Sequence, residues 1–416
     1  VQRWLKFAKY LPKNGWQPVV FTPENPAFDV TDKSLFSDIP PEAEVVKIPI
    51  LEPYRLLGTG RAKKSASTNF GVLPGSAKGG WKQTLLRWVR GNIMVPDPRV
   101  FWVQPSLRYL LRYLKAHPVD AIVTTGPPHS MHLIGLALKK ATDTPWIADF
   151  RDPWSKLDLL DDYHIIPAVR RRYERMEAEV LSHCDACLSV SKVWGEMYTA
   201  LGAKKVAVIT NGYEEKDVIS KESIPTEKFI LSHFGLLNHL RNPLVLWETL
   251  ERKMEADSSF AKDFELHLGG NIDPVVLQTL YTYPLIQERL KLFDYVSHSA
   301  LPELYAKSSV LLLMCFNSDI GRGNIPGKLF EYLAAEKPIL AFGRNGGDVD
   351  RILGETSGGK LFDYSAEGEV VSDYIHQLYS KYKTGSEFLA ETAEIRKYQR
   401  EKLTEDLVGL LNKTIT

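Results

Sequence analysis

Short apolar runs alternate with amphipathic stretches, and the alternation occurs in two blocks. In the first block the apolar runs fall at residues 18–22, 44–48, 121–125, 146–149, 186–190 and 206–209. Helical spacing of apolar positions predicts helices over 104–116, 129–141, 167–182 and 192–201. The second block has runs at 229–234, 264–269, 290–293, 310–314 and 338–342, with helices that include 243–256, 302–306 and 328–335. Uninterrupted apolar runs are the mark of strands covered on both faces, so the expected class is α/β with parallel, doubly wound sheets. The polar stretch 214–227, with Pro225, is the natural linker. The expected division is a domain at 1–214, a second at 228–385, and helices at 386–416 that contain no strand and could pack anywhere, including back on the first.

Val1, Trp4, Leu5, Ala8 and Leu11 recur at helical spacing ahead of the first strand. In an α/β fold a strand and turn should precede that helix, so a first strand and its loop are expected before Val1.

Composition narrows the classes. Three cysteines cannot build a disulfide framework, and Cys184 and Cys187 lie in an apolar strand-like run, which favours plain burial in a reducing cytosol. No apolar run approaches the length of a membrane span, and no signal peptide is visible, so a cytoplasmic location is expected. Fifty-two basic residues balance 51 acidic ones, which argues against a dedicated nucleic-acid binder. The balance hides a split: residues 55–117 hold 12 Lys or Arg and one acid, Asp97. In that segment Trp81, Leu85 and Trp88 share a helical face, Asn92 breaks the stripe, and Lys82, Arg87 and Arg90 accompany them. Phe101, Trp102, Arg108, Tyr109, Arg112 and Tyr113 follow. Basic and aromatic residues interleaved in this way suit an anionic membrane surface. Solvated cations beside aromatics packed on the sheet would explain them equally.

Open α/β sheets bind ligands beyond the carboxyl ends of their strands, so chemistry is sought there. In the second block Gly235 lets the chain turn after a strand, and Arg241 sits near the next helix start, where a phosphate is favoured. An ordinary surface Arg is the plainer alternative. The loop holding Asp319, Gly321, Gly323, Asn324, Ile325 and Gly327 leads into a helix that carries Lys328 and Glu331 on one face. Its glycines allow close backbone approach to a ligand, and an acid can accept from ribose hydroxyls. In the first block Gly126-Pro127-Pro128 leads into His129, with His132 one turn later. There His129 could hydrogen-bond a bound ligand. Asp149, Arg151 and Asp152 follow the next strand, either as an ion-pair cluster or as groups that orient a hydroxyl.

The order Gly235…Arg241 followed by PGKLFEYLAAEKPIL resembles the retaining GT-B glycosyltransferases of family four. NGYEE at 211–215 and LHLGG at 266–270 are similar to that family's interdomain turn and second strand, and TTGPPHSMHLIG and PWIADFRDPW resemble one bacterial branch. The resemblance implies two Rossmann-like domains facing a cleft, a nucleotide sugar in the second and a glycan or lipid-linked acceptor in the first. It implies transfer with retention, no cofactor and no obligatory metal, in cell-surface polysaccharide or glycolipid synthesis. Glu331 matches the second Glu of the family's E-x7-E signature and would contact ribose. Arg241 matches the basic residue on the diphosphate, and Lys328 is an additional phosphate ligand. Gly323 stands where the first Glu belongs, and Leu236 where an Arg usually follows the glycine turn, so Asp319 is a substitute acid and the donor sugar is left open. In the front-side mechanism proposed for the family the leaving diphosphate helps deprotonate the acceptor, which leaves His129, Asp149, Arg151 and Asp152 as site residues without an assigned base. A GT-B nucleotide-sugar epimerase and a non-catalytic nucleotide-sugar binder are the alternatives. Nucleic acid is not an expected partner.

Overall fold

A computed structural model describes residues 2–26, 33–52, 81–215, 227–294, 296, 297, 300–386, 388, 390 and 392–416. The chain divides into two compact units, residues 1–210 with 404–416, and residues 211–403. The linker expected at 214–227 falls mostly at 216–226, outside the described residues.

The first unit carries strands β1 (Val19–Pro23), β2 (Glu44–Ile48), β3 (Ile122–Gly126), β4 (Trp146–Phe150), β5 (Ala186–Ser189) and β6 (Val206–Val208). All pair in parallel, but in two sheets: β1 with β2, and β3-β4-β5-β6. The single sheet expected from the apolar runs is therefore divided, since among the described residues no strand joins β1 to β3. The helices used below are α1 (Gln2–Tyr10), α2 (Trp81–Asn92), α3 (Val103–Ala116), α4 (Ser130–Thr142) and α5 (Pro167–His183). β4 is wholly buried, which is why WIADF reads as an unbroken apolar run around one acid. Ile48, Trp102, Val103, Ile134 and Leu138 form a core between β2, α3 and α4.

The second unit is one six-stranded parallel sheet. Its strands are β7 (Phe229–Phe234), β8 (Phe264–Gly269), β9 (Leu290–Phe293), β10 (Val310–Met314), β11 (Ile339–Phe342) and β12 (Gly359–Phe362). The order β12-β11-β10-β7-β8-β9 is the doubly wound order, with its switch point between β7 and β10. Apolar cores fill both faces, one around Trp247, Phe260 and Phe264, the other around Leu329, Phe330 and Tyr332. Helix α6 (Leu244–Ala256) follows β7, and α7 (Lys328–Ala334) follows β10. Near the unit's ends the Tyr213 amide donates to the Tyr398 carbonyl at 3.1 Å, and the Arg400 amide to the Tyr213 carbonyl at 3.0 Å. The last helix, α8 (Arg400–Ile415), starts in the second unit and ends in the first. The stretch 386–403 thus lies with the second unit, and only 404–416 with the first.

Candidate functional site

The second unit gathers its polar groups at the switch point. Gly235 ends β7, and a Cβ there would stand 2.7 Å from Cε of Lys328, so the lysine stem lies directly over the glycine. Gly270, at φ +99°, packs as closely from the next strand: a Cβ on it would meet the Gly235 carbonyl oxygen at 2.7 Å. Two glycines therefore open the space that Lys328 crosses. Arg241 reaches over from the β7 side, its guanidinium carbon 3.9 Å from the centre of the Phe316 ring beyond β10. Burial lowers the pKa of both Arg241 and Lys328. Neither makes a salt bridge among the described residues, although the Glu331 charge supports Lys328. His233, in β7 itself, bonds through Nδ1 to the Leu312 carbonyl at 2.8 Å. Burial drives its pKa down to about 4, and the Lys328 and Arg241 charges push the same way, so its imidazole is neutral at pH 7. Glu331 accepts from the Tyr305 hydroxyl at 2.9 Å, which orients its carboxylate one turn beyond Lys328.

The first unit gathers its groups beyond β3 and β4. A Cβ on Gly126 would meet His132 Nε2 at 2.6 Å and His129 Nδ1 at 3.0 Å, so both imidazoles close on this glycine. His129 stacks on Trp154 at 5.1 Å between ring centres, and His132 on Phe150 at 4.4 Å. Thr124 Oγ1 joins His132 Nδ1 at 2.9 Å and accepts from the Trp146 indole at 2.9 Å. Burial holds His129 well below its usual pKa and takes His132 to about 3, with the Arg151 charge lowering both further. The buried His129 Nδ1 has no hydrogen-bond partner among the described residues.

Arg151 clamps the turn: its Nε donates to the Gly126 carbonyl at 3.2 Å and its Nη2 to the Pro127 carbonyl. Asp97, the one acid of the basic segment, caps the following helix by accepting from the Ser130 amide at 2.8 Å and hydroxyl at 2.7 Å. Asp149 is fully enclosed. Its oxygens accept from the Trp4 indole at 2.6 Å, the Thr125 hydroxyl at 2.7 Å and the Arg3 guanidinium at 3.2 Å. Arg3 also donates to the carbonyls of Ile209 and Thr210, so α1 is tied to the end of the unit. Asp152 has no side-chain partner among the described residues, and burial raises its pKa to about 6 against the pull of Arg151.

Residues 1–212 match the model of the Glycosyl transferase 4-like domain. The chain belongs to the glycosyl transferase 4-like family. No curated protein sequence matches it. Among solved structures it is similar in fold to sucrose-phosphate synthase from Thermosynechococcus elongatus, at TM-score 0.61 and 12% identity over 98% of this chain and 91% of that one. It is similar to HepE from Anabaena, solved with UDP-glucose, at 0.59 and 12% over 99% and 95%. It is also similar to a putative UDP-N-acetylglucosamine 2-epimerase from Listeria monocytogenes, at 0.54 and 13% over 99% and 92%. With the parallel sheets of both units, these similarities make the fold GT-B.

In this glycosyl transferase 4-like chain, Gly235, Arg241, Lys328 and Glu331 come together at the switch point of the second unit. Gly323 and Ile325 are buried and Asn324 is half-buried in the loop ahead of α7. Asp319 lies apart from them: it is 81% exposed and pairs with Arg344 at 3.2 Å. In the first unit His129, Arg151 and the GPP turn form one cluster, while Asp149 is committed to Arg3, Trp4 and Thr125. Sequence reasoning missed His233, Phe316 and Tyr305, and had Gly270 only as the glycine turn that ends LHLGG. A polar residue inside the apolar run FILSHF was the available signal for His233. Nothing singled out Phe316, whose role depends on β10 lying beside β7.

Proposed function

We propose that the chain transfers a sugar from a nucleotide-sugar donor held by the second unit to a glycan or lipid-linked acceptor held by the first. One observation carries this: two half-buried cations, Arg241 and Lys328, meet at the switch point without a salt bridge. Burying a charge unpaired is costly, so the arrangement suits an anion, and a nucleoside diphosphate brings one. The Gly235 and Gly270 backbones leave room for it, and Glu331, steadied by Tyr305, accepts from ribose hydroxyls. The loop of Gly323, Asn324 and Ile325 lies toward the donor sugar, with Asp319 engaged by Arg344 rather than free to replace the missing acid. UDP-glucose in the related HepE structure supports a nucleotide sugar as ligand.

The finer reading follows the family resemblance: retention, hexosyl transfer without cofactor or obligatory metal, and cell-surface polysaccharide or glycolipid synthesis at the cytoplasmic side of a membrane. His129 offers a neutral imidazole to a sugar hydroxyl, and Arg151 holds the turn that presents it. Asp149 is a positioning residue. Asp152 is the carboxylate free to accept an acceptor hydroxyl. Positioning and charge stabilisation then supply the catalysis.

Nucleotide sugars at about a hundredfold excess over Kd should raise the melting temperature by about 5–10 °C, and one that leaves it unchanged is not a donor. Glu331→Ala should weaken donor binding in calorimetry, and an unchanged affinity would remove the ribose role. An epimerase would convert the nucleotide sugar alone, whereas the transferase should need an acceptor.

The acceptor kcat/KM should fall on the acid side of about pH 6, as Asp152 takes up its proton. Asp152→Asn should abolish that limb; if the limb stays, another group titrates there. A raised carboxyl pKa also favours the folded state below the ordinary Asp range, and that contribution is lost as pH rises through about 6.

A further inference from the structure

The last turn of helix α2 is seated on the protein. Asn92, which breaks its apolar stripe, faces the protein: its Nδ2 donates to the His164 carbonyl at 3.3 Å and its Oδ1 accepts from the Ile166 amide at 2.9 Å. Gly91 packs so closely on Tyr163 that a Cβ would stand 2.6 Å from it, and the Tyr173 hydroxyl donates to the Gly91 carbonyl at 3.2 Å. Elsewhere along the helix large apolar side chains are exposed. Leu85 is 49% exposed, Leu86 45% and Ile93 59%, with Trp88 beside them at 37%. Leu85, Val89 and Ile93 follow at spacings of four, so they line one face. Ile166, joined to Asn92, extends the patch at the start of α5 and is 44% exposed.

Arginines lie on both helices. Arg87 and Arg90 lie on α2, the latter's guanidinium carbon 5.0 Å from the centre of the Tyr163 ring. On α5 the exposed Arg172 stands next to Tyr173, the residue that meets Gly91, outside the basic segment evident in the sequence; Arg171 and Arg175 lie on the other side of that helix. The nearby acids are Asp161, Asp162 and Glu174; Asp161 pairs with Arg170 and Glu174 with Lys156. The surface is therefore apolar at its centre and cationic at its edges. The other half of the basic segment is different. On α3, Tyr109 stacks on Phe21 and on Tyr113, and Tyr113 donates to Glu44 at 2.7 Å, so those aromatics are already engaged.

We propose that the face formed by α2 and the start of α5 docks on an anionic lipid bilayer, Leu85, Leu86 and Ile93 entering the acyl boundary while the arginines meet lipid phosphates. An interfacial helix has this design, a bare apolar face flanked by cations. Single-stranded nucleic acid would call for exposed rings to stack bases, whereas most of this face is aliphatic. Among the described residues no helix is long and apolar enough to cross a membrane, so the attachment is peripheral. The proposal extends the lipid-linked acceptor reading above, and it can fail separately from it.

Sedimentation with phosphatidylglycerol-containing vesicles, against phosphatidylcholine alone, tests it. The wild-type protein should bind the anionic vesicles selectively. The triple variant Leu85→Ser, Leu86→Ser, Ile93→Ser should lower the partition at least about tenfold, as should Arg87→Glu, Arg172→Glu. All the changed side chains are on the surface, and wild-type melting temperatures will show that the variants fold. No binding by the wild type, equal binding to neutral vesicles, or variants that bind like the wild type would overturn the proposal. So would displacement of the vesicles by a short oligonucleotide. If nucleotide sugars fail to shift the melting temperature while vesicle binding holds, the donor reading fails and the docking face stands.

Discussion

Replacing Asp149 by Ala is expected to lower the stability of the first unit by about 3–5 kcal/mol. Asp149 is fully buried and Arg3 is 4% exposed, so the change leaves a guanidinium enclosed without its counterion. Burial already lowers the Arg3 pKa, and Asp149 is what opposes that shift. The Trp4 indole and the Thr125 hydroxyl would lose their acceptor as well. Asp149→Asn keeps an acceptor oxygen but removes the charge, and should fall between the two. Denaturant unfolding followed separately for each unit measures this, because two units need not melt together. Donor binding by the second unit should survive in both variants. Wild-type stability in Asp149→Ala would show that the cluster is not what ties α1 to β4.

Arg241→Ala and Lys328→Ala should each weaken nucleoside diphosphate binding about 10–100-fold, the range for losing one hydrogen-bonded charge. Their effect on the ligand-free protein should be unlike that of Asp149. Neither cation has a salt bridge to lose, and removing it relieves desolvation, although Arg241 gives up its stacking on Phe316. The unliganded variants should therefore melt no more than slightly below the wild type, while titration calorimetry shows the loss of affinity. Affinities within twofold of wild type would place the diphosphate elsewhere.

Parallel strands buried on both faces announce themselves as apolar runs, and β7, β8 and β10 lie where those runs predicted; β2 and β9 do too, although both are partly exposed. β12 did not announce itself. Gly358, Gly359 and Lys360 dilute its apolar content, and its position comes from pairing with β11, where a Cβ on Gly359 would meet the Ile339 carbonyl oxygen at 2.0 Å. The candidate site divides in the same way. Arg241, Lys328 and Glu331 were legible because a helix start after a strand is a recognisable place. His233 and Phe316 join them only because β10 pairs with β7, which no spacing reveals. Asp149 had the right position for a site acid, but its partner Arg3 lies 146 residues away. Asp319 pairs with Arg344, which arrives from beyond β11 and so could not be foreseen from spacing.

The first unit is discontinuous, and that sets an order for biosynthesis. Residues 404–416 bring Leu407, Leu410 and Leu411 into buried positions, and Asn412 accepts from the Trp16 indole at 3.2 Å. A ribosome delivers residues 211–403 before those thirteen. The second unit can therefore finish folding while the first, most of it translated earlier, still waits for residues 404–416. During that interval the nascent chain exposes the surface that Leu407 and its neighbours will cover, and it is then that a chaperone has most to shield.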